Sequence, residues 1–151
     1  MNARAERSIQ TIMYMARHFM IHTALHWSEY GTDDISLWPF AVKHAAWLYN
    51  RLPNRVTGLT PIEMVSQTKT DHRDILRSHV WGSPSFVLDP KLQDGKKIPK
   101  WNSRARVGQF LGFSEEHSST VALIRHLKSG HVSPQFHTLL MIILKLSTAE
   151  I

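Results

Sequence analysis

The sequence predicts an α+β fold, with helices in the first half and a small closed β-barrel in the second. Three observations predict it. Before residue 52, apolar side chains recur at helical spacing. After residue 79 they fall into short runs separated by turn-forming residues, as in a small barrel. The chain has 151 residues, 42% hydrophobic and 20% charged, which is enough for a buried core and too apolar for a disordered segment.

The first helix is carried by Ile9, Ile12, Met13, Ala16, Phe19 and Met20, which follow the i, i+3, i+4 rule and form one stripe. The pattern fades near His26, and Gly31 is a stop signal. Asp33 or Ser36 can cap the next helix, with Pro39 tolerated in its first turn. From Phe40 to Tyr49 that helix is apolar almost all round, so it needs packing partners on more than one side. The first half does not supply enough of them, and Leu52-Pro53 ends the helix. Thr60-Pro61-Ile62-Glu63 spells a capping box with Pro at the first helical position, opening a short helix to about Val65. Residues 66–74 are polar and read as a linker.

Strands are expected at Val80–Leu88, Val107–Phe113, Thr120–Leu127 and His131–His137. Lys128-Ser129-Gly130 marks a tight hairpin connection, and Gly108 and Gly112 inside one strand mark a bulge or barrel corner.

Composition excludes several classes. With no Cys there is no disulfide, thiolate metal site or cysteine nucleophile. The longest apolar run, Leu139 to Leu144, is six residues against the roughly 20 of a membrane span, so no membrane partner is expected. The N-terminus shows no apolar signal core, and an intracellular location is expected.

The net charge of +6 favours polyanions, nucleic acid before acidic membrane. Much of the excess is local. Lys91, Lys96, Lys97, Lys100, Arg104 and Arg106 stand against Asp94 alone, so residues 91–106 carry +5, and Trp101 lies among them. Such a run suits a phosphate backbone with one stacking or wedging ring. It equally suits a solvated loop with Trp101 turned into the core.

His18, His22 and His26 lie one turn apart and could in principle share a metal, but no carboxylate or Cys completes a shell, so they read as partly exposed helix residues. Asp33-Asp34 could hold a cation, but adjacent loop carboxylates are ordinarily solvated or capping. No glycine-rich phosphate loop, G-x-S-x-G or H-E-x-x-H occurs, and no nucleophile, base and orienter assemble from local spacing. Glu6 and Gln10 can face one side at the head of the first helix, flanked by Arg4 and Arg7. Read by itself, Glu6 is a residue that stabilises the helix dipole by about 0.3–1 kcal/mol.

Asn2-Ala3-Arg4-Ala5-Glu6-Arg7 resembles the N-G-x-A-E-R signature of integrases from copia-type LTR retrotransposons. The stretch ending Ala45-Ala46-Trp47-Leu48-Tyr49-Asn50-Arg51-Leu52-Pro53 resembles the family's A-x-Y-x-x-N-R-x-P helix end. Gly58-Leu59-Thr60-Pro61-Ile62-Glu63 resembles its G-x-T-P-x-E turn, and Val80-Trp81-Gly82 its V-F-G segment. Phe110-Leu111-Gly112-Phe113-Ser114 resembles its F-L-G-Y-S strand, and Gly130 to His137 the strand closing its downstream barrel. Each motif is short; their order over residues 2–137 is the specific signal.

The resemblance implies a fragment of a retrotransposon polyprotein. Residues 1–70 would be the C-terminal helices of an RNase H-like catalytic core, 75–140 an SH3-like β-barrel domain, and 141–151 a divergent tail. In the family, two aspartates and a glutamate bind two divalent metals, with Mg²⁺ implied for the intact integrase. Glu6 matches that glutamate, and the aspartates would precede residue 1. The site at Glu6 would then be incomplete, with no cofactor for this chain and no strand transfer by it alone. The all-apolar helix near 40–50 would have lost its partner, leaving Trp47 and Leu48 exposed. The implied contacts to DNA are Arg4, Arg7, Gln10, Lys96, Lys97, Lys100, Trp101, Arg104 and Arg106. The implied partners are nucleic acid and the remainder of the integrase core or polyprotein, in the nucleus. Three departures stand out: Ala3 for Gly, Phe113 for Tyr, and an apolar run from Thr138 where apolar-acidic residues are usual.

Overall fold

The computed structural model describes residues 2–30, 34–71 and 73–140. Helix α1 spans Ala3–His26 and α2 spans Trp38–Arg51. The first ends where its apolar stripe fades, the Trp27 amide donating back to the Thr23 carbonyl. Gly31 and Asp33 lie outside the described residues. Asp34, rather than Ser36, is the capping side chain: its Oδ1 accepts from the Ser36 amide at 2.9 Å and opens a 3-10 turn, Ile35–Leu37, that leads directly into α2. Small residues bring the two helices together, with Ala16 of α1 packed in one cluster with Ala41 and Ala45 of α2.

Helix α3, Pro61–Ser66, follows the capping box as expected. Thr60 Oγ1 accepts from the Glu63 amide at 3.2 Å, and Glu63 Oε2 accepts from the Thr60 amide at 2.9 Å. Glu63 Oε1 also accepts from the Thr70 amide at 3.1 Å. That bond ties down the segment expected to be a linker, and a short helix α4, Arg73–Leu76, begins within it.

Five strands form one antiparallel sheet: β1 Pro84–Leu88, β2 Ala105–Phe113, β3 Ala122–His126, β4 Val132–Gln135 and β5 Thr138–Leu140. Between β1 and β2 lies a short helix α5, Pro90–Gln93. The sheet order is β4-β3-β2-β1-β5. β1 starts later than expected because Val80–Ser83 closes a turn, Ser83 N to Val80 O at 3.1 Å, with Gly82 at φ +80°. β5 is a strand the periodicity did not reveal.

The expected closed barrel is not formed. Among the described residues β4 and β5 pair on one side only, so the sheet is open. It is nevertheless strongly rolled. A flat five-stranded sheet would place its edges about 19 Å apart, four spacings of about 4.8 Å. Only Phe136 and His137 join β4 to β5, and three Cα steps reach about 11 Å at most. The edges must therefore curl toward each other.

Of the two glycines expected to mark a bulge, Gly112 does and Gly108 does not: Gly108 stays in register with Ser85 and His126. Phe110 pairs with Ile124 and Gly112 with Leu123, leaving Leu111 as the extra residue. Gly112 adopts φ +128°. Phe110 then packs with Val87, Ala122 and Ile124 in the cluster within the sheet, while Leu111 joins Trp81, Ala16, Leu37, Ala41 and Ala45 under the helices.

This second cluster corrects the expectation that α2 lacks a partner. α1 lies along one side of α2, and the sheet covers another. The His44 ring meets Phe110 edge-on at 5.7 Å, and Trp47 lies 5.1 Å from Phe113. Trp47 and Leu48 are half-buried rather than exposed. The junction is pinned at Trp81-Gly82. The buried Trp81 indole donates to the Leu111 carbonyl at 3.1 Å, and the Trp81 carbonyl accepts from Thr23 Oγ1 at 3.0 Å. A Cβ on Gly82 would collide with the Thr23 side chain.

Gly82→Ala is expected to destabilise the protein by about 2–4 kcal/mol, combining positive-φ strain with overpacking. Gly58→Ala, also at positive φ but with open space around it, should cost only about 1 kcal/mol. Urea midpoints of the two variants check this; equal losses would remove the packing argument.

Candidate nucleic-acid interface

β1 ends at Leu88 and β2 begins at Ala105, so 16 residues connect two neighbouring strands. The connection is anchored at its base, where the Asp89 amide donates to the Arg104 carbonyl at 2.9 Å. Asp89 Oδ1 accepts from the Lys91 amide at 2.9 Å and caps α5. The chain then turns at Gly95, with φ +73°, and the Lys96 amide donates back to the Lys91 carbonyl. A second turn, Asn102 N to Pro99 O at 3.0 Å, carries Lys100 and Trp101.

The structure decides between the two sequence readings of Trp101. The ring is 91% exposed, so it is not turned into the core. The Lys100 ammonium lies 5.8 Å from the ring centroid. Lys91, Lys96, Lys97, Lys100 and Arg104 are all exposed. Lys96 makes a loose contact of 3.8 Å with Asp94, both groups well solvated, which leaves its charge largely available.

Arg106 departs from this group. It lies in β2, opposite Val87, and is half-buried, with Nε enclosed and no hydrogen-bond partner for it among the described residues. Its charge acts on His126, whose pKa is lowered by burial first and then by Arg106 and His131. Arg106 is part of the sheet and not of the exposed basic loop.

Arg4, Glu6, Arg7 and Gln10 are exposed on the first turns of α1. Gln10 Nε2 donates to the Tyr14 hydroxyl at 3.2 Å. Behind them, the Ser8 hydroxyl meets the Tyr49 hydroxyl at 3.0 Å, joining the start of α1 to the last turn of α2. Glu6 stands in the position of a first-turn acid. Among the described residues no three His, Asp or Glu side chains converge as a metal shell. His18, His22 and His26 are exposed on α1, with the rings of His22 and His26 4.3 Å apart. Asp34 is occupied by Ser36 and by Arg125, at 3.2 Å, which straps the α1–α2 connection to β3.

Two clefts were not foreseen. One, of about 750 Å³, is lined by Gly58, Leu59, Glu63, Met64, Gln67 and the cation Lys69 among others. Its carboxylate is engaged by the Thr60 and Thr70 amides, which hold Glu63 at about 2, well below its ordinary value. The other, of about 430 Å³, is lined by His18, His22, His44, His79 and Trp81 among others. Burial lowers the pKa of His22 and His79 and pushes His44 down to about 4. All three shifts disfavour the charged ring, so this cleft is poorly suited to an anion. The exposed basic loop is therefore the stronger candidate. The fold signals for these clefts are long-range packing, which no local motif encodes.

No family model, curated protein or solved structure compared with the chain matches it. No helix among the described residues is long and apolar enough to cross a membrane.

His44 makes stability pH-dependent. Its pKa falls from an ordinary 6.5 to about 4 on folding, so its contribution is intact above pH 6.5 and is lost as pH drops toward 4, by about 3 kcal/mol in all. The urea midpoint should fall between pH 7.5 and 5, and His44→Leu should flatten that fall. An equal fall in the variant would exonerate His44. A second loss, from Glu63, is expected only as pH descends from about 4.5 toward 2, and Glu63→Gln should remove it.

Proposed function

We propose that the chain is a segment of a copia-type LTR retrotransposon integrase that binds nucleic acid and does not catalyse by itself. On this reading, residues 1–70 are the C-terminal helices of an RNase H-like core, residues 75–140 an SH3-like domain, and 141–151 a divergent tail. It would act in the nucleus, beside the rest of the integrase. The ordered motifs support the family. The rolled sheet, with its last strand returning to its first, supports the SH3-like reading.

The observation that carries nucleic-acid binding is the loop itself: five exposed cations and a Trp that is 91% exposed, on one strand-to-strand connection. Arg4, Arg7 and Gln10 form a second polar surface at the head of α1. Glu6 corresponds to the family's glutamate, where Mg²⁺ would bind in the intact enzyme. A single exposed carboxylate holds Mg²⁺ weakly, so we expect no strand transfer by this chain alone. Mg²⁺-dependent cutting that disappears in Glu6→Gln would point instead to a site completed by another chain.

Five phosphate contacts give a slope of about −4.5 in log affinity against log salt. Duplex DNA binding should therefore weaken about 500-fold between roughly 50 and 200 mM salt. Lys96→Glu with Lys97→Glu should abolish most of it. Binding that is flat with salt, or that survives the double substitution, refutes the reading. It would favour a second one, a structural segment that contacts protein, for which α1 supplies exposed Ile9 (61%) and Leu25 (75%).

A further inference from the structure

Resting on that reading, we propose that the loop selects unpaired nucleotides, with Trp101 as the platform on which one base stacks. The argument begins with exposure. The five Trp residues of this chain are not alike: Trp101 is 91% exposed and the other four are less so, which leaves its ring face open to a partner. Trp101 sits on a turn closed by Asn102 N to Pro99 O, between Lys100 and Arg104. The cations of the loop are Lys91, Lys96, Lys97, Lys100 and Arg104, with Asp94 the one acid between Lys91 and Lys96. Cations alone would serve any polyanion. An exposed indole among them adds a surface that matches the π-face of a base.

Duplex DNA hides that face. Its bases are stacked on each other, and a flat ring at a loop tip reaches them only at an end or where a base is unpaired. The loop is also not a regular element shaped for the major groove: its helix, Pro90–Gln93, is a single turn and ends before the cations cluster. Stacking tolerates every base, so the selection is for strandedness and not for sequence. The exposed cations of the loop supply phosphate contacts, and Trp101 supplies the discrimination.

The test uses the full chain and fluorescence anisotropy at one fixed salt concentration. The probes are an unstructured single strand of about 20 nucleotides, the matching blunt duplex, and the duplex with an unpaired 3′ overhang. The wild-type chain should prefer the single strand and the overhang to the blunt duplex. Trp101→Ala should weaken the strand about 5- to 150-fold and change the blunt duplex by less than about twofold. Trp101→Phe should keep most of the strand affinity. Polyglutamate, which has the charge but no bases, should bind weakly and equally to wild type and variant. Because Trp101 touches no core residue cluster, thermal unfolding of its variants should match wild type; if Trp101→Ala unfolds early, the Phe variant and the quenching of Trp fluorescence by the single strand decide.

Equal losses on strand and duplex, or none, overturn the stacking role while leaving the salt-dependent reading intact. Polyglutamate binding as tight as the strand also overturns it. Failure of wild type to bind any of the nucleic acids removes both.

Discussion

The whole arrangement turns on the Trp81 junction. One backbone carbonyl and one indole N–H join three elements: Thr23 at the end of α1, the turn before β1, and the bulge carbonyl of Leu111 in β2. The ring between these bonds is a member of the apolar cluster that α1, α2 and the sheet share. Both polar ends of the residue are satisfied away from water, which is what allows a Trp to be fully buried. Gly82 then lets Thr23 approach the backbone so closely that no side chain fits between them. Helix pair and sheet are consequently one packed unit.

That unit is not free of tension. His44 Nδ1, Ser83 Oγ, Ser85 Oγ and Gln109 Nε2 are enclosed with no hydrogen-bond partner among the described residues. A buried polar atom left without any partner, water included, costs about 1–3 kcal/mol. These four cluster about the same helix–sheet junction and β1–β2 pairing that carry the core, so apolar contacts there must offset them. The strap from Asp34 to Arg125 holds the same junction from its solvent side, with Arg125 also reaching Gln109 Oε1 at 3.4 Å.

Local chemistry was readable in the sequence, and non-local geometry was not. The capping box at Thr60–Glu63 involves residues three apart, and every expected bond is present. The bulge at Gly112 was readable because only a residue without Cβ accepts its backbone angle easily. β5 was missed because three residues carry no period, and its pairing with β1 is settled 51 to 55 positions away. The partner of α2 was missed for the same reason: Phe110 and Phe113 look like strand residues, and nothing local says that a helix covers them. At the candidate interface the sequence showed the cations but left Trp101 open between core and solvent. Arg106 was grouped with the loop, although one step past its start a strand turns side chains inward.

The loop that carries the charges has a property independent of what it binds. Both of its feet are fixed by the first rungs of the β1–β2 ladder, so its interior bears little of the fold. Lengthening such a connection costs slowly, about 0.6 kcal/mol for each doubling. Its tip can gain residues, exchange one cation for another, or shift its aromatic by a position while the scaffold beneath stays as it is. The tip is thus the part of this chain where a change of ligand would disturb the architecture least.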